Sequence, residues 1–282
     1  MPVRTIGIIG AGTMGRGVAQ VAATAGLDVV LVDVSEAALD EGVATVLRDL
    51  DRLVANGKLS STDKDAAVGR ITRSVDYDAL CPADLVIEAA TENFALKAAI
   101  LKRIDPLIRP DAIIATNTSS ISITRLAAEV SRPERFIGMH FFNPVPTMDL
   151  VEIVRGLRTS DRTHDAVDAL AEQLGKTAIT IKNSPGFVVY RILLPMLNEA
   201  FFVLAEDEVD PTHIDDAMKL GGNQPIGPLA LADLIGLDVL LSVMQTIHDE
   251  LGDPKYRPAP LLKELVAAGY RGRKSGRGVY RY

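Results

Sequence analysis

A doubly wound α/β sheet followed by an all-α region is the fold class this sequence predicts, and three observations carry it. Short runs rich in Val and Ile alternate with longer amphipathic segments through the first two thirds of the chain, the pattern of parallel strands covered by helices on both faces. A glycine-patterned turn, Gly10-Ala11-Gly12-Thr13-Met14-Gly15, joins the first strand to the first helix. After Asn183-Ser184-Pro185-Gly186 the β-branched runs stop and amphipathic helices follow.

Taken in order, apolar runs predict strands at 5–9, 29–33, 85–88, 113–117, 135–140, 150–154 and 178–181. Helical periodicity predicts helices between most of them, at 15–25, 36–56, 62–69, 94–107, 124–129 and 162–175. Four further helices are expected at 187–206, 211–220, 229–251 and 260–268; the second opens on Asp210-Pro211, a cap residue followed by a proline preset for the first turn. The length, 282 residues, exceeds the usual single domain. The expected partition is therefore 1–184 for the sheet and 185–282 for the helices.

Hydrophobic residues make up 48% and charged residues 24% of the chain, which leaves no case for disorder. A net charge of −7 opposes broad nucleic-acid binding, because phosphates demand a basic surface. The lone Cys81 has no partner for a disulfide or a zinc site, so a reducing cytoplasm fits and no metal is expected. The longest later apolar stretch, 192–205, is interrupted by Pro195, Asn198 and Glu199 and falls short of the roughly 20 residues a membrane span needs.

Gly10 to Gly15 match G-x-G-x-x-G after a strand and before a helix, the context in which that pattern binds a dinucleotide. Gly10 would allow the tight turn, Gly12 the approach of a pyrophosphate, and Gly15 close packing of helix on strand, with the N–H groups of the helix start facing the anion. Asp33 closes the second strand, where a carboxylate can accept from both ribose hydroxyls. It would repel a 2′-phosphate, and neither Val34 nor Ser35 offsets it, so NAD is the expected cofactor of this Rossmann-type domain. The alternative for Asp33 is a cap on the following helix.

Oxidising a secondary alcohol by hydride transfer requires a base beside the hydroxyl. Of His140, His164, His213 and His248, the last three sit in sequences that read as exposed helix. His140 ends an apolar strand at the carboxyl edge where open α/β sheets hold ligands. Glu152 lies in the next apolar strand, and burying it is costly without a partner. Imidazole and carboxylate would meet each other's needs, the carboxylate fixing the tautomer. A structural histidine, and a Glu152 facing solvent from an edge strand, remain open. Asn117-Thr118-Ser119-Ser120 offers hydroxyls at the same edge, or a cap for a helix after it.

The strings GAGTMG, EAATEN, NTSSISIT, GMHFFNPVP, SPGFVV, AMKLGGNQPIGP and GRKSGRGVY run along nearly the whole chain. In that order they resemble the 3-hydroxyacyl-CoA dehydrogenases, with length and spacing similar to the short bacterial 3-hydroxybutyryl-CoA members. The resemblance implies His140 as general base, Glu152 as its orienting partner, and Ser119 as a hydrogen-bonding group near substrate oxygen and nicotinamide. It implies Glu92, Lys97, Asn143 and Lys274 as cofactor contacts, with a solvated helix face as the alternative for Lys97. It implies an acyl-CoA thioester substrate and a homodimer through the C-terminal helices, so helix 187–206 can be interface as well as core. Arg48, Arg52 and Lys58 are the cations available for CoA phosphates, although a charged helix face is usually just solvated. The family lysine expected in the PTMDL segment is replaced by Asp149, which suggests weaker CoA anchoring.

Tyr190 departs from the family pattern, standing where an asparagine contacts the substrate at the reacting carbon. Helical spacing would put Phe187, Tyr190, Arg191 and Leu194 on one face. Tyr190 then either keeps a hydrogen-bonding hydroxyl while narrowing the acyl pocket, or displaces the substrate and leaves an NAD-binding protein with impaired catalysis. A β-hydroxyacid dehydrogenase acting on free acids is the other rival.

Overall fold

The computed structural model describes residues 3–206 and 209–282. It divides into two compact units, one ending at Asn183 and one beginning at Ser184.

The first unit runs β1 (Thr5–Ile9), α1 (Thr13–Thr24), β2 (Asp28–Val32), α2 (Glu36–Ala55), α3 (Ser61–Gly69), β3 (Ile71–Ser74), β4 (Leu85–Glu88), α4 (Phe94–Ile104), β5 (Ile113–Thr116), α5 (Ile123–Ala127), β6 (Phe136–Phe141), β7 (Leu150–Arg155), α6 (Asp161–Gln173) and β8 (Thr177–Lys182). The strands form one eight-stranded sheet in the order β3-β2-β1-β4-β5-β6-β7-β8. All neighbours are parallel except β6 and β7, so the last two strands run against the rest. The doubly wound class predicted from the sequence is what forms.

Alternation along β6 decides which side chains reach the site. Ile137, Met139 and Phe141 join the core cluster that also holds residues of α1 and α6. Gly138 faces the other way, where an added Cβ would meet Ile123 of α5 at 2.9 Å. His140 shares the Gly138 face because strand side chains repeat every second residue. Register extends this face across the sheet: Glu88 lies opposite Thr116, Thr116 opposite Gly138, and His140 opposite Glu152.

β3 was not predicted. Its sequence, ITRS, has no apolar run, and only pairing with β2 at the sheet edge makes it a strand.

The second unit comprises α7 (Val189–Ala205), α8 (Pro211–Leu220), α9 (Pro228–Ile235), α10 (Leu237–Leu251) and α11 (Pro260–Ala267). Asp210 caps α8 as expected, accepting from the Thr212 N–H at 2.9 Å. The single helix predicted over 229–251 is two, broken at Gly236, whose φ of +106° no helix accommodates, and bent by 95°. No single helix among the described residues is long and apolar enough to cross a membrane. α7 begins two residues later than predicted because Phe187 has φ +53°. Phe187 therefore shares no helical face with Tyr190. The chain end is stitched into this unit: Asp233 accepts from the N–H groups of Val279 and Tyr280, and Asp215 from the Tyr280 hydroxyl.

Candidate active site

The nucleotide turn follows from close approach. A Cβ on Gly15 would lie 1.8 Å from the Gly10 carbonyl oxygen, and Gly10 itself has φ +102°. A Cβ on Gly12 would meet nothing within 4 Å, so the backbone there faces open space. α1 starts at Thr13 with no side-chain cap and no acid in its first turn, which leaves its leading N–H groups to an anion. Thr13 is exposed beside Gly12, and Met14 is half-buried against the core. A cavity of about 280 Å³ opens beside this turn, lined by Gly10, Gly12, Asp33, Tyr77, Ala90 and Leu96.

Asp33 accepts from the Ala11 N–H at 2.8 Å and from the Ser35 N–H at 3.2 Å. The cap of α2 is Ser35, not Asp33. Ala11 is buried with its N–H on Asp33, so it holds that carboxylate rather than reaching a ligand. These residues fit an adenine dinucleotide: an open glycine turn at a bare helix start, with a fixed carboxylate at the next strand end.

His140 and Glu152 meet at the carboxyl end of β6. Both are buried, at 3% and 1% exposure, and Nδ1 of the imidazole lies 2.7 Å from Glu152 Oε2. The antiparallel turn from β6 to β7 is what sets them directly opposite, on one face. A carboxylate on Nδ1 makes that nitrogen the N–H donor and leaves the basic lone pair on Nε2. The Phe142 ring packs against the imidazole, centroids 4.5 Å apart. The Asn117 side-chain Oδ1 accepts from the Phe141 N–H at 2.9 Å, tying the end of β5 to the residue after His140.

Ser119 belongs to a turn held by Glu92 rather than to a helix cap. Glu92 Oε1 accepts from the hydroxyls of Thr118, Ser119 and Ser120 at 2.6, 3.2 and 3.1 Å, and from the N–H groups of Ser119 and Ser120. Burial pushes the Glu92 carboxyl up, but the Lys97 charge and these donors outweigh it and hold it below the usual range. The cap of α5 is Ser122.

Lys97 does not lie on a solvated helix face. It is 1% exposed, with its ammonium on Glu88 at 2.8 and 2.9 Å and on the Ala90 carbonyl at 3.1 Å. The partner, Glu88, was missed. An acid closing the otherwise apolar strand LVIE was the signal that could have found it.

Asn143 is exposed in the turn after β6, at the cis Asn143–Pro144 bond. The following loop is pinned by Lys176, whose ammonium donates to the Val145 and Met148 carbonyls. Lys274 is ion-paired with Asp238 inside the second unit. Tyr190, second residue of α7, packs half-buried against that unit's hydrophobic cluster. Arg48 pairs with Glu41, Arg52 with Asp49, and Lys58 is exposed. The structure does not gather these three into a cationic cradle.

Residues 5–184 match the model for the 3-hydroxyacyl-CoA dehydrogenase NAD binding domain, and residues 186–282 match that family's C-terminal domain. The chain belongs to the 3-hydroxyacyl-CoA dehydrogenase family. A solved (S)-3-hydroxybutyryl-CoA dehydrogenase from Ralstonia eutropha is 63% identical with a TM-score of 0.96, covering 99% of both chains. A probable 3-hydroxybutyryl-CoA dehydrogenase of Bacillus subtilis is 49% identical over 100% of this chain and 98% of its own. A 3-hydroxybutyryl-CoA dehydrogenase of Bradyrhizobium diazoefficiens is 50% identical over 99% and 96%. Membership brings with it an NAD-binding domain and an oxidoreductase fold, which the glycine turn and Asp33 fit.

Proposed function

We propose that this protein transfers a hydride between NAD(H) and C3 of a short-chain 3-hydroxyacyl-CoA, interconverting 3-hydroxybutyryl-CoA and acetoacetyl-CoA. The observation that carries this reading is the buried His140–Glu152 pair, 2.7 Å apart at a strand's carboxyl end, in a chain of this family. His140 Nε2 takes the hydroxyl proton, and Glu152 on Nδ1 stabilises the resulting imidazolium. When bound, the nicotinamide supplies the hydride acceptor. Ser119 sits near the substrate oxygen and nicotinamide, and Glu92 keeps its turn in place by accepting from its hydroxyl and N–H. The leading N–H groups of α1 receive the pyrophosphate, and Asp33 the adenosine ribose.

Asn143 and Lys274 remain assigned to the cofactor by family resemblance alone. Arg52 and Lys58 remain assigned to CoA phosphates on the same ground, and their solvated setting supports weak anchoring. Tyr190, in place of the family's substrate-contacting asparagine, either favours short acyl chains or lowers turnover. A second copy docks through the helices of the second unit, where Ile192 of α7 is 68% exposed.

The deciding assay is reduction of a 3-ketoacyl-CoA series with NADH and NADPH. The expected result is a maximum at acetoacetyl-CoA, a strong preference for NADH, and a sedimenting mass of two chains. Tyr190→Asn should then favour longer chains. Turnover of free 3-hydroxybutyrate instead of its thioester would overturn the substrate. NADH binding with no reduction at all would select the non-catalytic reading.

A further inference from the structure

Glu88 is a fully buried acid that the proposed chemistry does not use. It closes β4, and four donor contacts reach its two oxygens: the Lys97 ammonium at 2.8 and 2.9 Å, the Ala90 N–H at 2.7 Å and the Thr116 hydroxyl at 2.7 Å. Lys97 thus stands between two carboxylates. Glu88 holds it in contact, while Glu92 Oε2 waits at 3.7 Å. The opposite oxygen of Glu92 carries the Thr118–Ser120 turn, through three hydroxyls and two N–H groups.

A buried ammonium must keep a carboxylate beside it, since an unpaired charge away from water is strongly disfavoured. If Glu88 lost its charge, Glu92 would be the one carboxylate left to Lys97. Closing the 3.7 Å gap would swing Glu92 off the hydroxyls it now holds. We propose that Glu88 is a positioning residue for the dehydrogenase reaction: it holds Lys97 away from Glu92, so that Glu92 keeps the Ser119 hydroxyl in one orientation. Glu88 and Lys97 also grip both polar groups of the Ala90 backbone, which lines the nucleotide cavity. The effect on rate rests on the dehydrogenase reading, but the effect on the turn does not.

The test pairs amide hydrogen exchange on the cofactor-free protein with steady-state kinetics. In Glu88→Gln the Ser119 and Ser120 amides should exchange about tenfold faster, the scale of one charge-assisted hydrogen bond. For acetoacetyl-CoA reduction kcat should fall about tenfold or more, with KM moving less than about threefold, as expected for a contact that matters in the transition state. Glu88→Gln combined with Lys97→Met removes the ammonium together with its carboxylate. Nothing then pulls on Glu92, and exchange at Ser119 and Ser120 should return to within about threefold of the unmodified enzyme, a coupling that independent sites would not show.

Unmoved exchange and kcat in the single variant, or Ser119 and Ser120 amides that exchange as fast in the double variant as in the single one, would overturn the proposal. Should Glu88→Gln not fold, Glu88→Asp retracts the carboxylate by one methylene, and the same readouts must move in the same direction by a smaller factor. Absent turnover in the unmodified enzyme would sink the dehydrogenase reading. Unchanged protection of Ser119 would sink this one.

Discussion

Two buried carboxylates of the first unit, Glu152 with His140 and Glu88 with Lys97, project from the same face of the sheet yet do different work. Both lie out of water with a partner at 2.7 or 2.8 Å. The first pair joins two neighbouring strands at a carboxyl end; the second joins a strand to a helix beneath the nucleotide cavity. An imidazole has two ring nitrogens, one to hold a carboxylate and one for proton transfer, whereas the ammonium has only donors and spends them on Glu88 and the Ala90 carbonyl. Burial therefore explains why each acid has a partner, and the identity of the partner separates chemistry from scaffold.

The largest expected effect breaks the first pair. His140→Gln keeps a donor for Glu152 but no base, so kcat/KM for acetoacetyl-CoA should fall about 10²–10⁴-fold while the circular dichroism spectrum and melting temperature hardly move. A loss of folding in place of a loss of rate would show His140 to be scaffold after all.

Breaking the second pair should do the reverse. Lys97→Met strands the Glu88 carboxylate, and denaturant unfolding should reveal a loss of about 3–5 kcal/mol, the range for removing one partner of a buried ion pair. If stability holds within ~1 kcal/mol, water or a rearranged neighbour reaches Glu88 and the comparison fails.

The smallest effect concerns pH. The Glu92 carboxyl is held below its ordinary value, burial being outweighed by Lys97 and the donors of the Thr118–Ser120 turn. A depressed folded-state value means stability present above the unfolded glutamate range and lost as pH falls through the folded one. The stability gap between the unmodified protein and Glu92→Gln should therefore be widest near pH 7 and shrink steadily below about pH 4.3. A gap that grows on acidification would contradict the assigned direction.

Much of this was legible in the residue order. The run TIGIIGAGTMG needs a strand, a left-handed glycine and a helix start, all set by neighbours a few positions apart. His140 could be picked out because it stands near the end of an apolar strand while the other three histidines fall in sequences that read as exposed helix. Glu92 and Lys97 were read as two members of one motif, yet one holds a turn and the other lies buried on Glu88, a distinction that spacing does not contain. Lys176 left no sequence signal at all, because its acceptors are backbone carbonyls from a loop nearly thirty positions earlier.

By itself the sequence determined the layered α/β class, the helical second part, the nucleotide turn and a histidine at a strand end, since each depends on periodicity or backbone freedom within a short window. Only the tertiary structure decided that ITRS pairs as an edge strand, that Gly236 splits one predicted helix into two, and which carboxylate each buried cation meets. The physical reason is range. Partners such as Glu88 and Thr116 lie 28 positions apart and touch because β4 and β5 are neighbours in the sheet, so their contact comes into being with the strand order.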